Sequence, residues 1–161
     1  MGCLLAGNCA MASAALSCTI PSGVSLNFGL YDDSSATNRD VSTTFVVQCC
    51  RNPPGSDATL AVALGPSTNS TAGNKIATRQ MKNTVNTDRM TYQLYMGSFG
   101  GTIWGDGVIG GSVWAQAVST NSNCPSTQSF TIGSAIFGRI LAQQAVSAGI
   151  YNDSLTISIL P

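Results

Sequence analysis

The most regular stretch of the chain is Gly149-Ile150-Tyr151-Asn152-Asp153-Ser154-Leu155-Thr156-Ile157-Ser158-Ile159-Leu160. Leu155, Ile157 and Ile159 alternate with Thr156 and Ser158, the period of a strand with one buried face. Glycine, asparagine and aspartate precede it as turn residues. Only Pro161 follows, so the sequence reads as a domain that ends in a strand with nothing after it to cover it. A strand in that position is an edge or needs a partner.

The same alternation recurs upstream. Val24-Ser25-Leu26-Asn27-Phe28 alternates before a turn at Asp32-Asp33-Ser34-Ser35. Thr43 to Cys50 reads as a strand with Phe45, Val47 and Cys49 on one face and Thr44, Val46, Gln48 and Cys50 on the other. Asn52-Pro53-Pro54-Gly55 breaks it. Ala58, Leu60, Val62 and Leu64 then form an inward face, as do Met90, Tyr92 and Leu94. Gly65 to Thr78, rich in Ser, Thr, Asn and Gly, reads as a long loop. Val113 to Val118, Phe130 to Ile132 and Ile136 to Leu141 read as further short strands. Some seven strands with turns between them and no capped helical segment predict an all-β sandwich.

Composition agrees. The 161 residues suit one domain. Charged residues make up 9%, the seven acidic residues are all aspartate, and histidine is absent. A net charge of zero gives no electrostatic footprint for nucleic acid or an anionic membrane. The missing histidine removes the commonest general base and metal ligand. Nothing approaches the roughly 20 apolar residues of a membrane span. No cofactor, metal or catalytic residue is expected.

The chemical motifs that do occur are weak. Gly105-Asp106-Gly107-Val108-Ile109-Gly110 matches G-x-G-x-x-G, but a dinucleotide site needs a helix after it and a strand pattern follows. Serines lack a histidine or a G-x-S-x-G elbow to activate them. The Asp32-Asp33 pair, with no third ligand, reads as a solvated turn. Asn69-Ser70-Thr71 and Asn152-Asp153-Ser154 match the glycosylation sequon, as chance allows in a chain this rich in Asn, Ser and Thr.

Six cysteines remain: Cys3, Cys9, Cys18, Cys49, Cys50 and Cys124. Without C-x-x-C spacing or histidine they read as disulfide partners, which places the chain in an oxidising compartment. Ala10-Met11-Ala12, after an uncharged apolar stretch, is similar to a signal-cleavage site. Residues 1–17 are therefore read as a signal-peptide remnant or as a retained N-terminal strand, with the domain over residues 18–161. Cys49 and Cys50 leave opposite faces of a strand and do not suit bridging each other. Cys49, beside Phe45 and Val47, points inward, and Cys50 faces outward.

Taken together the residues resemble the spore coat protein U domain, the subunit family of archaic chaperone–usher pili. The marks are Cys18, Leu26-Asn27-Phe28-Gly29-Leu30-Tyr31-Asp32, Val46-Val47-Gln48-Cys49, Leu64-Gly65 and Arg79-Gln80-Met81. They continue with Tyr92-Gln93-Leu94-Tyr95, Thr102-Ile103-Trp104-Gly105, Phe137-Gly138-Arg139-Ile140 and Gly149-Ile150-Tyr151-Asn152-Asp153. The resemblance implies an incomplete immunoglobulin-like sandwich lacking its final strand. That strand is supplied in trans, first by a periplasmic chaperone and then by a neighbouring pilus subunit, with an outer-membrane usher in the assembly route. Such a subunit is exported to the periplasm and then to the cell surface. Tyr151, Leu155, Ile157 and Ile159 would line the groove that accepts the strand. The resemblance also implies a Cys18–Cys49 bridge. Cys124 is then the partner left for Cys50 if Cys3 and Cys9 depart with a signal peptide.

The N-terminus separates two roles. If cleavage falls near Ala12, Ser13 to Ser17 alone precede Cys18 and extend at most about 18 Å. That is short for a donor and implies a tip subunit that accepts a strand without giving one. If residues 1–17 stay, Leu5, Cys9 and Met11 share a donor face interrupted by Gly7. The alternative from another class is a stand-alone secreted carbohydrate-binding sandwich, which would be self-contained.

Overall fold

The computed structural model describes residues 16–21, 23–121 and 123–160. The expectations for residues 1–15, including Cys3 and Cys9, lie outside the described residues. Ten strands and no helix occur among the described residues. They are β1 (Leu16–Thr19), β2 (Arg39–Arg51), β3 (Gly55–Leu64), β4 (Gln80–Asn83) and β5 (Arg89–Met96). β6 (Thr102–Ile103), β7 (Trp114–Thr120), β8 (Gln128–Ile140), β9 (Tyr151–Asn152) and β10 (Ile157–Leu160) follow.

The strands form two sheets. The larger runs β1-β2-β8-β5-β4-β9, with β6 beside β5, and the smaller runs β10-β3-β7. Every strand pairing is antiparallel, so each sheet can turn one apolar face inward. Phe45, Val47, Tyr92, Leu94, Ile136 and Ile140 from the larger sheet meet Leu60, Val62, Leu64 and Val118 from the smaller one. The result is an all-β, immunoglobulin-like sandwich. Trp104 joins the layers. It is wholly buried, stacks on Phe45 at 5.8 Å, and its indole N–H donates to the Val62 carbonyl at 2.9 Å.

Three sequence expectations change. Phe130–Ile132 and Ile136–Leu141 are not two strands but parts of the continuous β8, which pairs with β2 across a register shift between Thr43 and Phe45. Val24–Phe28 alternates in burial as expected yet belongs to no strand. The terminal strand is shorter than its pattern, with ladder pairing from Ile157 only. β1 pairs with β2 from Leu16↔Arg51 to Thr19↔Gln48.

Two disulfides tie the sandwich. Cys18 and Cys49 are Cα partners across β1 and β2 and are bridged. Cys50 is bridged to Cys124. The outward direction read for Cys50 does not leave it exposed. It is 6% exposed, because the loop bearing Cys124 is bonded down over it, with the Cys124 amide donating to the Asn52 side chain at 2.9 Å.

Candidate functional site: an open groove beside the last strand

β10 pairs with β3 through Ile157↔Leu64 to Leu160↔Ala61. Among the described residues no strand pairs with its other side. Facing that free edge is the extended segment 23–30, which also has no ladder partner among the described residues. A cleft of about 240 Å³ lies between them. Val24, Leu26 and Phe28 line one side, Leu155 and Ile157 the other, and Leu64, Leu94, Trp104 and Ile136 the floor. A second cleft of about 690 Å³ extends it between residues 25–31 and 146–152, over Met81, Met90 and Ile140. The two share Leu26, Phe28, Met81 and Tyr151, so the groove is continuous.

The walls follow from local chemistry. Segment 23–30 is held by side chains instead of by a ladder. The Arg39 Nε donates to the Phe28 carbonyl at 2.6 Å. Leu26 and Phe28 lie directly on Gly138 of β8, where an added Cβ would come within 2.3 Å of the Leu26 side chain and 2.7 Å of the Phe28 ring. Only glycine allows that approach. The opposite wall begins where the Gly65 amide donates to the Thr156 carbonyl at 2.8 Å. Tyr151 is held from the side by its hydroxyl, which donates to the Ser147 carbonyl.

Along this wall Tyr151, Asp153, Leu155, Ile157 and Ile159 all turn inward and are only half-buried. Tyr151, Leu155 and Ile157 line the cleft, and Ile159 packs against the core from the same face. The residues named from sequence therefore share one face of one wall. The opposite wall, Val24 to Phe28, had the matching period, but nothing in the sequence marked it as a wall.

A polar network closes one end. The Tyr92 hydroxyl donates to Asp153 Oδ2 at 2.7 Å, and the Asn69 amide donates to Asp153 Oδ1 at 3.0 Å. Burial, and then the adjacent carboxylate, push the Tyr92 phenol far up, so it stays a proton donor. The Asn69 side chain of the first sequon is engaged here, donating also to the Asn152 carbonyl. Behind this end sits Arg79, wholly buried. Its guanidinium donates to Gln93 Oε1 at 2.7 Å and to the Leu64 and Gly65 carbonyls. Burial pushes it down to about 10. Sequence alone does not signal a buried cation in the polar run Thr78-Arg79-Gln80.

The rejected motifs have plain structural roles. Asp106 accepts amide protons from Val108 and Ile109 and shapes the glycine-rich loop. Asp32 accepts from the Ser34 amide and hydroxyl in an exposed turn. Among the described residues no three His, Cys, Asp or Glu side chains converge as metal ligands, and no helix is long and apolar enough to cross a membrane.

No curated protein matches the chain. Nine solved chains do. One comes from the crystal structure of the CsuC–CsuE chaperone–tip adhesion subunit pre-assembly complex from archaic chaperone–usher Csu pili of Acinetobacter baumannii. It superposes with a TM-score of 0.53 at 21% identity, over 90% of this chain and 39% of that one. The chain thus spans about two fifths of the length of that match, and the likeness is one of fold. The Spore Coat Protein U domain model matches residues 5–158, nearly the whole sequence, and the chain belongs to that family.

Proposed function

We propose that this chain is a non-enzymatic structural or adhesive subunit of a surface pilus or coat, assembled by chaperone–usher donor-strand complementation. The observation that carries the proposal is the double vacancy in hydrogen bonding. Among the described residues β10 has a free edge, segment 23–30 has no ladder partner, and an apolar groove lies between them. An extended strand laid there would bond to main chain on both sides and drop alternate side chains onto Leu64, Trp104 and Ile136, the physics of β-augmentation. Its donors would be a periplasmic chaperone during export and a neighbouring subunit at the surface, with an outer-membrane usher between. Family membership and the pilus-subunit match support this reading. Residues 1–17 are the candidate donor segment toward the next subunit if they are retained. A self-contained carbohydrate-binding sandwich would not need an open edge beside its last strand.

Sedimentation and thermal unfolding of the purified chain test the proposal. The expected result is self-association or a low, broad transition, reversed by a chaperone or a donor peptide. A cooperative monomer that keeps this behaviour after deletion of residues 1–15 would overturn it, because no strand would then be wanting.

A further inference from the structure

The groove is not uniformly apolar, and its charge says which strands it takes. The inference rests on the strand-accepting reading above. Among the inward-facing residues of the wall, Tyr151, Asp153, Leu155, Ile157 and Ile159, Asp153 alone is charged, and it lines the cleft. Its three hydrogen-bond donors are the Tyr92 hydroxyl, the Asn69 amide and the Ser154 backbone N–H. All three are neutral. No basic side chain among the described residues forms an ion pair with it. The nearby cation, Arg79, is committed to Gln93 and to two carbonyls.

While the groove is open, water solvates the free side of this carboxylate. A seated strand strips that water. An apolar side chain at this register would leave a desolvated charge, which is costly. A lysine or arginine would replace the water with a charge-assisted bond. We propose that the groove selects an extended partner segment that alternates apolar side chains and carries a Lys or Arg facing Asp153. Residues 1–17 hold no Lys or Arg and do not meet that requirement, so the preferred donor is a segment other than residues 1–17 of another copy.

Fluorescence anisotropy with synthetic peptides decides this. The peptides alternate Val and Thr, are long enough to span Tyr151 to Ile159, and carry one Lys scanned through the Val positions. One position should bind about tenfold more tightly than the all-apolar peptide, as expected for one good charge pair. In Asp153→Asn that gain should vanish while the all-apolar peptide binds at least as well. Should that variant fail to fold, the wild-type chain gives the same answer by two routes. The lysine advantage should shrink between low and high salt, and a Glu at the same position should weaken binding. Equal binding of lysine and all-apolar peptides overturns this inference and leaves the strand-accepting groove intact. Failure of every peptide to bind overturns both.

Discussion

β3 and β10 are neighbours in one sheet with the same period-2 pattern, yet they differ in burial. Leu60 and Val62 of β3 are wholly buried, while Ile157 and Ile159 of β10 are half-exposed. The side chains are of similar size and apolarity. The difference lies in their neighbours. β3 is flanked by β7 and β10 and faces Trp104 and the larger sheet, whereas β10, among the described residues, has β3 on one side only. Period therefore reports which way a side chain points, and burial depends on what lies opposite. The chain is closed on the flank of β2, β3 and β8, and open between segment 23–30 and residues 146–160.

The largest effects should fall on the closed flank. Trp104→Ala would remove the stacked partner of Phe45 and leave the Val62 carbonyl without its indole donor. It should cost about 3 to 5 kcal/mol, read as a lower denaturant midpoint. A loss under about 1 kcal/mol would mean that the two sheets do not depend on this joint. Next comes Cys18→Ala/Cys49→Ala. The bridge spans 31 residues and contributes about 3 to 4 kcal/mol in the chain-entropy model. Non-reducing peptide mapping should recover Cys18–Cys49 and Cys50–Cys124. A Cys18–Cys50 peptide would invert the faces assigned to the end of β2.

The closed flank was also the more legible in sequence. Phe45-Val47-Cys49, Leu60-Val62-Leu64 and Met90-Tyr92-Leu94 have clean alternation because one face of each strand turns its large apolar side chains to the core. β8 was legible only as two pieces, since Gly133-Ser134-Ala135 interrupts the apolar pattern where the ladder with β2 shifts register between Ile132 and Ile136. At the groove, Leu155, Ile157 and Ile159 could be read as one wall. Val24 to Phe28 could be read only as a strand, because alternation cannot tell a paired backbone from an unpaired one. The Asp153–Tyr92–Asn69 network joins residues more than 60 apart in sequence. No local pattern encodes such an approach. The Cys50–Cys124 bridge, 74 residues apart, was expected from the cysteines left over, but the burial it gives Cys50 was not.

The contrast between β3 and β10 can be tested with one truncation on each. Val62→Ala should lose clearly more stability in the isolated chain than Ile157→Ala, which should cost about 1 kcal/mol or less for a side chain still partly in water. The order should reverse in donor-peptide affinity, where Ile157→Ala weakens binding and Val62→Ala, if folded, changes it little. Equal losses in the isolated chain would mean that β10 is already covered and the two flanks are alike.

The smallest expected effect concerns how the open wall is held. Ser147, on the loop that forms one side of the larger cleft, donates both its hydroxyl and its amide to Asp88 Oδ2. The Ser147 hydroxyl, and after it the amide, hold the Asp88 carboxyl below its ordinary value of 3.8. The folded state therefore binds this proton less readily than the unfolded chain. The anchor's contribution is complete above the ordinary carboxylate range and is lost as pH falls through the depressed folded value. The group is solvent-exposed, so global stability should barely register it. The local signature is the Ser147 amide. Its hydrogen-exchange protection, corrected for intrinsic rate, should be constant from pH 7 to pH 5 and fall as Asp88 takes up its proton. Asp88→Asn should show low protection throughout with no such step. A step that survives in Asp88→Asn would assign the anchoring of this wall to another group, and the carboxylate would then be a bystander on the open flank.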